Sequence, residues 1–250
     1  MVYLSGNGRK MNGERQQPIS APETPSYSVP WKFMDNWIGV LLLIVINLVI
    51  FIITLQSSKA TLAQSALIVL LELAYLLPVV IIFASRGIHW KALGFGKFSW
   101  SSLSIGCGLL VGGYILIIVH NLLLFGLGVD TQGEEIVKMF AALKSPLWFF
   151  IVGAVFAPLV EEIFFRGFLF QGFRERYGWP AGMLLSSALF AAAHLDLVAL
   201  IPTFILGNVL AYVYHRSNSV WPGIFLHFLV NAFGLFGAYF ATYYQNLIPL

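Results

Sequence analysis

Two glutamates and an arginine lie in the otherwise apolar stretch Pro158-Leu-Val-Glu161-Glu162-Ile-Phe-Phe-Arg166-Gly167. Ionisable side chains are costly in apolar segments, so they mark candidate functional sites. Glu162 and Arg166 are four residues apart with the acid first, which is the favoured order for a helical ion pair. Glu161 points about 100° away from Glu162 around a helix and lacks a local partner. We therefore expect Glu162 and Arg166 to hold a site in which Glu161 takes a proton as a general base.

Two further polar motifs follow in later apolar stretches. The first reads Phe190-Ala-Ala-Ala-His194, and the second reads His227-Phe-Leu-Val-Asn231. In each motif the two named residues are four apart and share a helix face, so His227 and Asn231 can direct donors at one point. Taken singly, an ion pair, a helix-capping histidine or a bridging asparagine could be structural. Together the three motifs favour catalysis.

The composition identifies the elements that must position these residues. The chain has 250 residues, of which 59% are hydrophobic and 10% charged, against about 25% charged in soluble domains. Apolar stretches near the length of a membrane span predict an all-α, polytopic transmembrane bundle of about seven helices, six to eight. The predicted spans are roughly 37–55, 62–84, 102–127, 147–171, 180–194, 197–215 and 220–243. The fifth, about 22 Å long, is too short to cross and should end inside the membrane.

Residues outside the spans predict domain organisation and orientation. Residues 1–36 are polar and proline-rich, which is typical of a disordered tail, and residues 37–250 form the transmembrane domain. Ten Lys and Arg residues lie in the tail and even-numbered loops, and three in the alternate loops. This asymmetry predicts a multi-pass protein of the plasma (inner) membrane with a cytoplasmic N-terminus and an outer C-terminus. The ten are Arg9, Lys10, Arg15, Lys32, Arg86, Lys91, Lys97, Arg174, Arg176 and Arg216; the three are Lys59, Lys138 and Lys144.

The three motifs, in this order and each in its own apolar segment, resemble the CPBP family of CAAX prenyl proteases and bacteriocin-processing (Abi) proteins. The resemblance covers about residues 146–245. It implies a glutamate-dependent intramembrane endopeptidase in which Glu161 and His194 activate water. His227 and Asn231 would form the oxyanion hole, and Glu162, Arg166 and Phe190 would orient the site. The implied substrates are membrane-associated proteins or peptides, including prenylated CAAX-type proteins, and no cofactor is implied.

Two other classes of function remain open. Glu161, His194 and His227 form an acceptable zinc ligand set, although no H-E-x-x-H motif is present. A non-catalytic scaffold or a transporter of the same fold is the other alternative. Transporters commonly show broken helices in both halves, whereas the polar breaks here lie in the C-terminal half. The expected partners are the lipid bilayer and the substrate; no basic stripe predicts nucleic-acid binding, and the sequence does not predict an oligomeric state.

Overall fold

The fold is all-α, as the sequence predicts. The computed structural model describes residues 28–56, 62–129, 137 and 146–244, and these residues contain seven helices and a short 3₁₀ turn. Six of the predicted spans end within four residues of the observed helices, and α4 extends six residues beyond its predicted end. The helices are α1 (Phe33–Gln56), α2 (Leu62–Arg86), α3 (Trp100–Gly126), α4 (from Pro146 to Tyr177), α5 (Trp179–Ala193), α6 (Leu200–Ser217) and α7 (Trp221–Tyr244), with the 3₁₀ turn at Trp90–Leu93.

Five of these helices, α1 to α4 and α7, are long and apolar enough to cross a membrane. The fifth helix has 15 residues, so its predicted shortness is confirmed. The sixth has 18 residues but is not among the five, because Asn208, His215 and Arg216 lower its hydropathy. The chain is therefore a multi-pass membrane protein. Its α5 is too short and its α6 too polar to be counted among the five candidate spans, and both complete the bundle.

Helix α4 is the central element of the bundle. Half of its most apolar window is buried inside the protein, against 17–28% in the other four candidate spans. Helices α2, α5 and α7 all pack against it. Helices α1 and α3 instead present large exposed Leu, Ile and Val side chains on their outer faces. Lipid can cover these apolar faces without a free-energy cost. The polar groups of α4 are instead covered by the neighbouring helices, which screen them from lipid.

The backbone of α4 alternates between α-helical and wider π-helical turns. The α segments are Pro146–Phe150, Ala157–Glu162 and Gln171–Tyr177, and the π segments are Ile151–Phe156 and Ile163–Phe170. Pro158 has no N–H to donate to the preceding turn. The two π segments lie on either side of the short α segment that carries Pro158 and both glutamates. Such turns are frequent at functional sites.

The last nine residues of the tail predicted for residues 1–36 lie within the described structure. Residues 1–27 lie outside the described residues, but α1 begins at Phe33, and Trp31 and Asn36 are buried. Trp31 Nε1 donates to Asn36 Oδ1 at 3.0 Å, and Asn36 Nδ2 donates to the Leu169 carbonyl at 2.9 Å. The boundary at residue 36 is therefore wrong, because this segment contributes its own polar groups to the surface of α4.

Candidate active site

A cavity of about 520 Å³ lies between α2, α3, α4, α6 and α7. The four residues predicted to be catalytic all line it: Glu161 from α4, His194 from the end of α5, and His227 and Asn231 from α7. Apolar side chains make up most of the remaining wall. The structure thus brings together three motifs that are separated by up to 70 residues in the chain.

The ion pair predicted between Glu162 and Arg166 is present in the core. Arg166 Nη1 lies 2.6 Å from Glu162 Oε1, and both side chains are 1% exposed. Arg166 Nη2 also donates to the Gly207 carbonyl of α6 at 3.2 Å. A guanidinium can hold two acceptors at once in a fixed geometry. This pair therefore links α4 to α6 directly behind the cavity.

Glu161 is buried but differs from Glu162 in its contacts. Its Oε2 has no hydrogen-bond partner in the described part of the chain. The Nε2 atom of His227 lies 3.7 Å from Glu161 Oε2. That separation is beyond hydrogen-bond length. Glu161 consequently has one oxygen free to receive a proton.

His227 lies between the two glutamates. Its Nδ1 is 3.2 Å from Glu162 Oε1 and its Nε2 faces Glu161. A carboxylate oxygen accepts, so Nδ1 carries the hydrogen in this contact. Nε2 can then donate a hydrogen bond only when the ring carries both protons. Glu162 therefore orients His227 as well as Arg166, a contact that the sequence spacing did not reveal.

His194 caps the C-terminal end of α5, as predicted. Its Nδ1 lies 2.8 Å from the Phe190 carbonyl, which assigns the hydrogen to Nδ1 and leaves Nε2 with a lone pair in the neutral ring. The Phe190 ring is fully buried, with its centroid 4.8 Å from that of His194 and 5.7 Å from that of His227. Phe190 thus packs against both histidines, and the orienting function expected of it stays a prediction.

Asn231 makes a bond that the sequence did not predict. Its Nδ2 donates to the carbonyl of Gly153, in the first π segment of α4, at 2.9 Å. This bond fixes the amide plane and uses one of two amide hydrogens. The second hydrogen remains for another acceptor in the cavity that Asn231 lines.

Glu72 is an acidic cavity residue to which the sequence alone assigned no function. It comes from α2, lines the same cavity as Glu161, and its Oε2 is buried without a hydrogen-bond partner among the described residues. An acidic residue inside a membrane span was a visible signal. Its register relative to α4 depends on helix packing, which the sequence did not reveal.

The zinc alternative gains no support from the side-chain geometry. Among the residues that the structure describes, no three His, Cys, Asp or Glu side chains lie close enough together to hold a metal ion. Zinc sites need three or four such ligands at about 2.0–2.3 Å. Glu161, His194 and His227 share a cavity but do not form that arrangement.

Comparison with known proteins shows a family similarity over the segment that carries these residues. Residues 143–233 match the family model described as Type II CAAX prenyl endopeptidase Rce1-like. That range contains all three motifs and all four cavity residues proposed as catalytic. The CPBP resemblance is confirmed over this segment, which is similar to the Rce1-like family. The family model describes CAAX prenyl endopeptidases.

Three curated proteins are similar to the chain over part of their length. "Putative membrane peptidase YdiL" of Bacillus subtilis (strain 168) is 28% identical over 109 residues, 44% of each chain. "Uncharacterized 24.3 kDa protein" of Escherichia coli is 31% identical over 140 residues, 53% of this chain and 64% of its own. "UPF0177 protein YxdF" of Lactococcus lactis subsp. lactis (strain IL1403) is 33% identical over 86 residues, 34% and 46% respectively. The matches therefore span about half the length of these relatives, and no solved structure matches the chain.

Proposed function

We propose that this Rce1-like protein is a glutamate-dependent intramembrane endopeptidase that works without a metal. It hydrolyses a peptide bond in membrane-associated proteins or peptides, prenylated CAAX-type proteins included. The observation that carries the proposal is the convergence of Glu161, His194, His227 and Asn231 on one cavity within the family-matched segment. By the positive-inside asymmetry, the protein lies in the plasma membrane with its N-terminus in the cytoplasm.

Glu161 and His194 are proposed to activate the attacking water. Glu161 Oε2 has no hydrogen-bond partner in the described residues, and His194 has a free Nε2 lone pair because Nδ1 donates to Phe190. A water molecule in the cavity can then donate to one acceptor while Glu161 removes its proton. General-base catalysis of this kind contributes about 10²–10⁴-fold.

His227 and Asn231 are proposed to stabilise the oxyanion that forms on the scissile carbonyl. The two side chains lie one helical turn apart on α7 and both line the cavity. Nδ1–H of His227 donates to the Glu162 carboxylate. In the doubly protonated ring that this proposal requires, Nε2–H is the second donor. Asn231 offers its second amide hydrogen. Two positioned donors are the arrangement that acyl-transfer enzymes use for such charge.

The proposal is tested by cleavage of fluorogenic membrane-associated peptides, prenylated and plain, by purified protein in detergent. We expect Glu161→Gln to lower the cleavage rate by about 100-fold or more, because the amide cannot accept the proton. Glu175→Gln changes an exposed glutamate of the same helix and serves as the matched control. Equal rates for wild type and Glu161→Gln would contradict the general-base assignment. Inactivation by a chelator that added zinc reverses would instead support the metalloprotease.

A further inference from the structure

Glu72 of α2 faces the same cavity as the proposed base. Helix α2 packs against the Ala157–Glu162 segment of α4, and Glu72 and Glu161 both line the cavity. Within the described residues, each has a buried Oε2 that makes no hydrogen bond. Both carboxylates therefore belong to the wall of one largely apolar cavity. A second acid thus lines the cavity of the base, outside the three motifs.

With His194 neutral, as its proposed function requires, the three acids Glu72, Glu161 and Glu162 outnumber the two cations available to them, Arg166 and a doubly protonated His227. Arg166 is committed to Glu162 at 2.6 Å, and His227 is held between Glu162 and Glu161. Tyr75, one turn along from Glu72, packs on Phe164 and Phe165 and supplies no positive charge. Two ionised carboxylates in one apolar cavity are costly. Neighbouring acids in such a site share one proton instead.

Peptide hydrolysis needs a proton donor as well as a base. An amine leaves a tetrahedral intermediate only after its nitrogen is protonated, so a site with one positioned acid and one positioned base suits this reaction. Resting on the function proposed above, we propose that Glu72 is the general acid of the reaction. It holds the shared proton in the resting enzyme and donates it to the leaving nitrogen.

Each catalytic cycle passes protons between water, the two acids and the leaving nitrogen. The oxygen of water bonds to the scissile carbonyl carbon while Glu161 takes one water proton. Glu72 then gives its proton to the nitrogen, the carbon–nitrogen bond breaks, and the amine and the carboxylic acid leave. Glu161 now carries the proton and Glu72 is ionised. Transfer of that proton across the cavity from Glu161 to Glu72 restores the starting state, with one water consumed for each bond.

A pair of substrates that differ in the leaving group tests the proposal. The peptide of the panel that wild type cleaves is prepared as a 7-amino-4-methylcoumarin amide and as a 4-methylumbelliferyl ester. The phenolate of the ester leaves without a proton, whereas the amine of the amide requires one. We expect Glu72→Gln to slow the amide about 100-fold or more and to leave the ester within about 3-fold of wild type, while Glu161→Gln slows both.

The outcomes separate this proposal from the one on which it rests. Equal loss on amide and ester in Glu72→Gln would indicate a structural or binding function and overturn the inference, as would full activity on both. Retained cleavage by Glu161→Gln would instead contradict the proposed function.

A measurement without substrate gives an independent readout. We expect the infrared spectrum of wild type at neutral pH to contain the carbonyl band of a protonated carboxylic acid. Glu72→Gln should lose this band and the exposed Glu175→Gln should keep it. A band that persists in Glu72→Gln would show that Glu72 does not hold the proton.

Discussion

At the scale of single residues, Phe190 contacts the arginine and both histidines of the site. Its ring lies 4.3 Å from the guanidinium carbon of Arg166, and contacts His194 and His227 edge-on. A cation over an aromatic face and an aromatic edge against a second ring are both favourable and directional. One planar side chain therefore fixes the orientation of three others.

Replacing Phe190 should accordingly harm catalysis more than folding. We expect Phe190→Leu to lower the cleavage rate about 10-fold or more, because both histidine rings lose the surface that orients them. Phe170→Leu is the control, since Phe170 is equally buried but packs on Tyr214 rather than on the cavity residues. Thermal unfolding in detergent measures the folded fraction of each variant. Cleavage rates are then compared for equal amounts of folded protein. Equal losses in the two variants would show that Phe190 acts through stability alone.

Arg166 makes three contacts that a lysine cannot reproduce together. It pairs with Glu162, donates to the Gly207 carbonyl and lies over Phe190. Lysine keeps the charge but has a single ammonium centre. We expect Arg166→Lys to lower both the melting temperature and the cleavage rate, the latter about 10-fold or more. Arg176→Lys, at an exposed position of the same helix, should match wild type; an unaffected Arg166→Lys would show that charge alone suffices.

The spacing of residues was enough to predict contacts within one helix, but not contacts between helices. The Glu162–Arg166 pair and the helix-capping His194 follow from local geometry and are present. The approach of His227 to Glu162 and of Asn231 to Gly153 depends on how α7 meets α4. Glu72 faces the site only because α2 packs on the segment that carries Glu161. Such registers are set by tertiary packing.

At the scale of elements, the close approach of α7 to α4 is made possible by Gly223. A Cβ added at this position would lie 2.6 Å from Glu162 Oε2. Glu162 cannot move aside freely, because Arg166 and His227 hold its other oxygen. Small residues let membrane helices approach in this way. The glycine therefore sets the distance between the two helices that carry most of the site.

Adding a methyl group there should separate the helices. We expect Gly223→Ala to lower the cleavage rate about 10-fold or more, because overpacking displaces the carboxylate that orients His227. The matched control is Gly237→Ala on the same helix, where the added Cβ meets no described atom within 4 Å. Both variants are assayed on the same peptide and checked by size-exclusion chromatography. Wild-type activity in Gly223→Ala would show that Glu162 yields without consequence.

Helix boundaries were easier to predict than helix interiors. The length of an apolar stretch bounds a membrane helix directly, so the seven predicted spans match the seven described helices closely. The π segments of α4 follow no sequence period, although Pro158 signalled a local break. The packing of Trp31 and Asn36 on α4 was missed because polar composition alone suggested a tail. Two buried side chains were enough to anchor that segment.

At the scale of the whole molecule, the orientation in the membrane determines which compartment supplies the substrate. Helix α3 is a convenient reporter, because its 27 residues span about 40 Å and so reach both surfaces of a ~30 Å hydrocarbon core. Ser101 at its start and Leu127 just past its end are both exposed. Cys107, the single cysteine of the chain, lies between them and can be removed by Cys107→Ser.

The charge asymmetry of the loops predicts opposite reactivity at these two positions. In the Cys107→Ser background, we expect a membrane-impermeant maleimide to label Leu127→Cys in intact cells, and to label Ser101→Cys only after permeabilisation. The reason is that Lys91 and Lys97, just before α3, belong to the basic loops retained in the cytoplasm. The reverse pattern would place the N-terminus outside. The substrate would then reach the cavity from the other side, although the chemistry proposed for Glu161 and Glu72 would be unchanged.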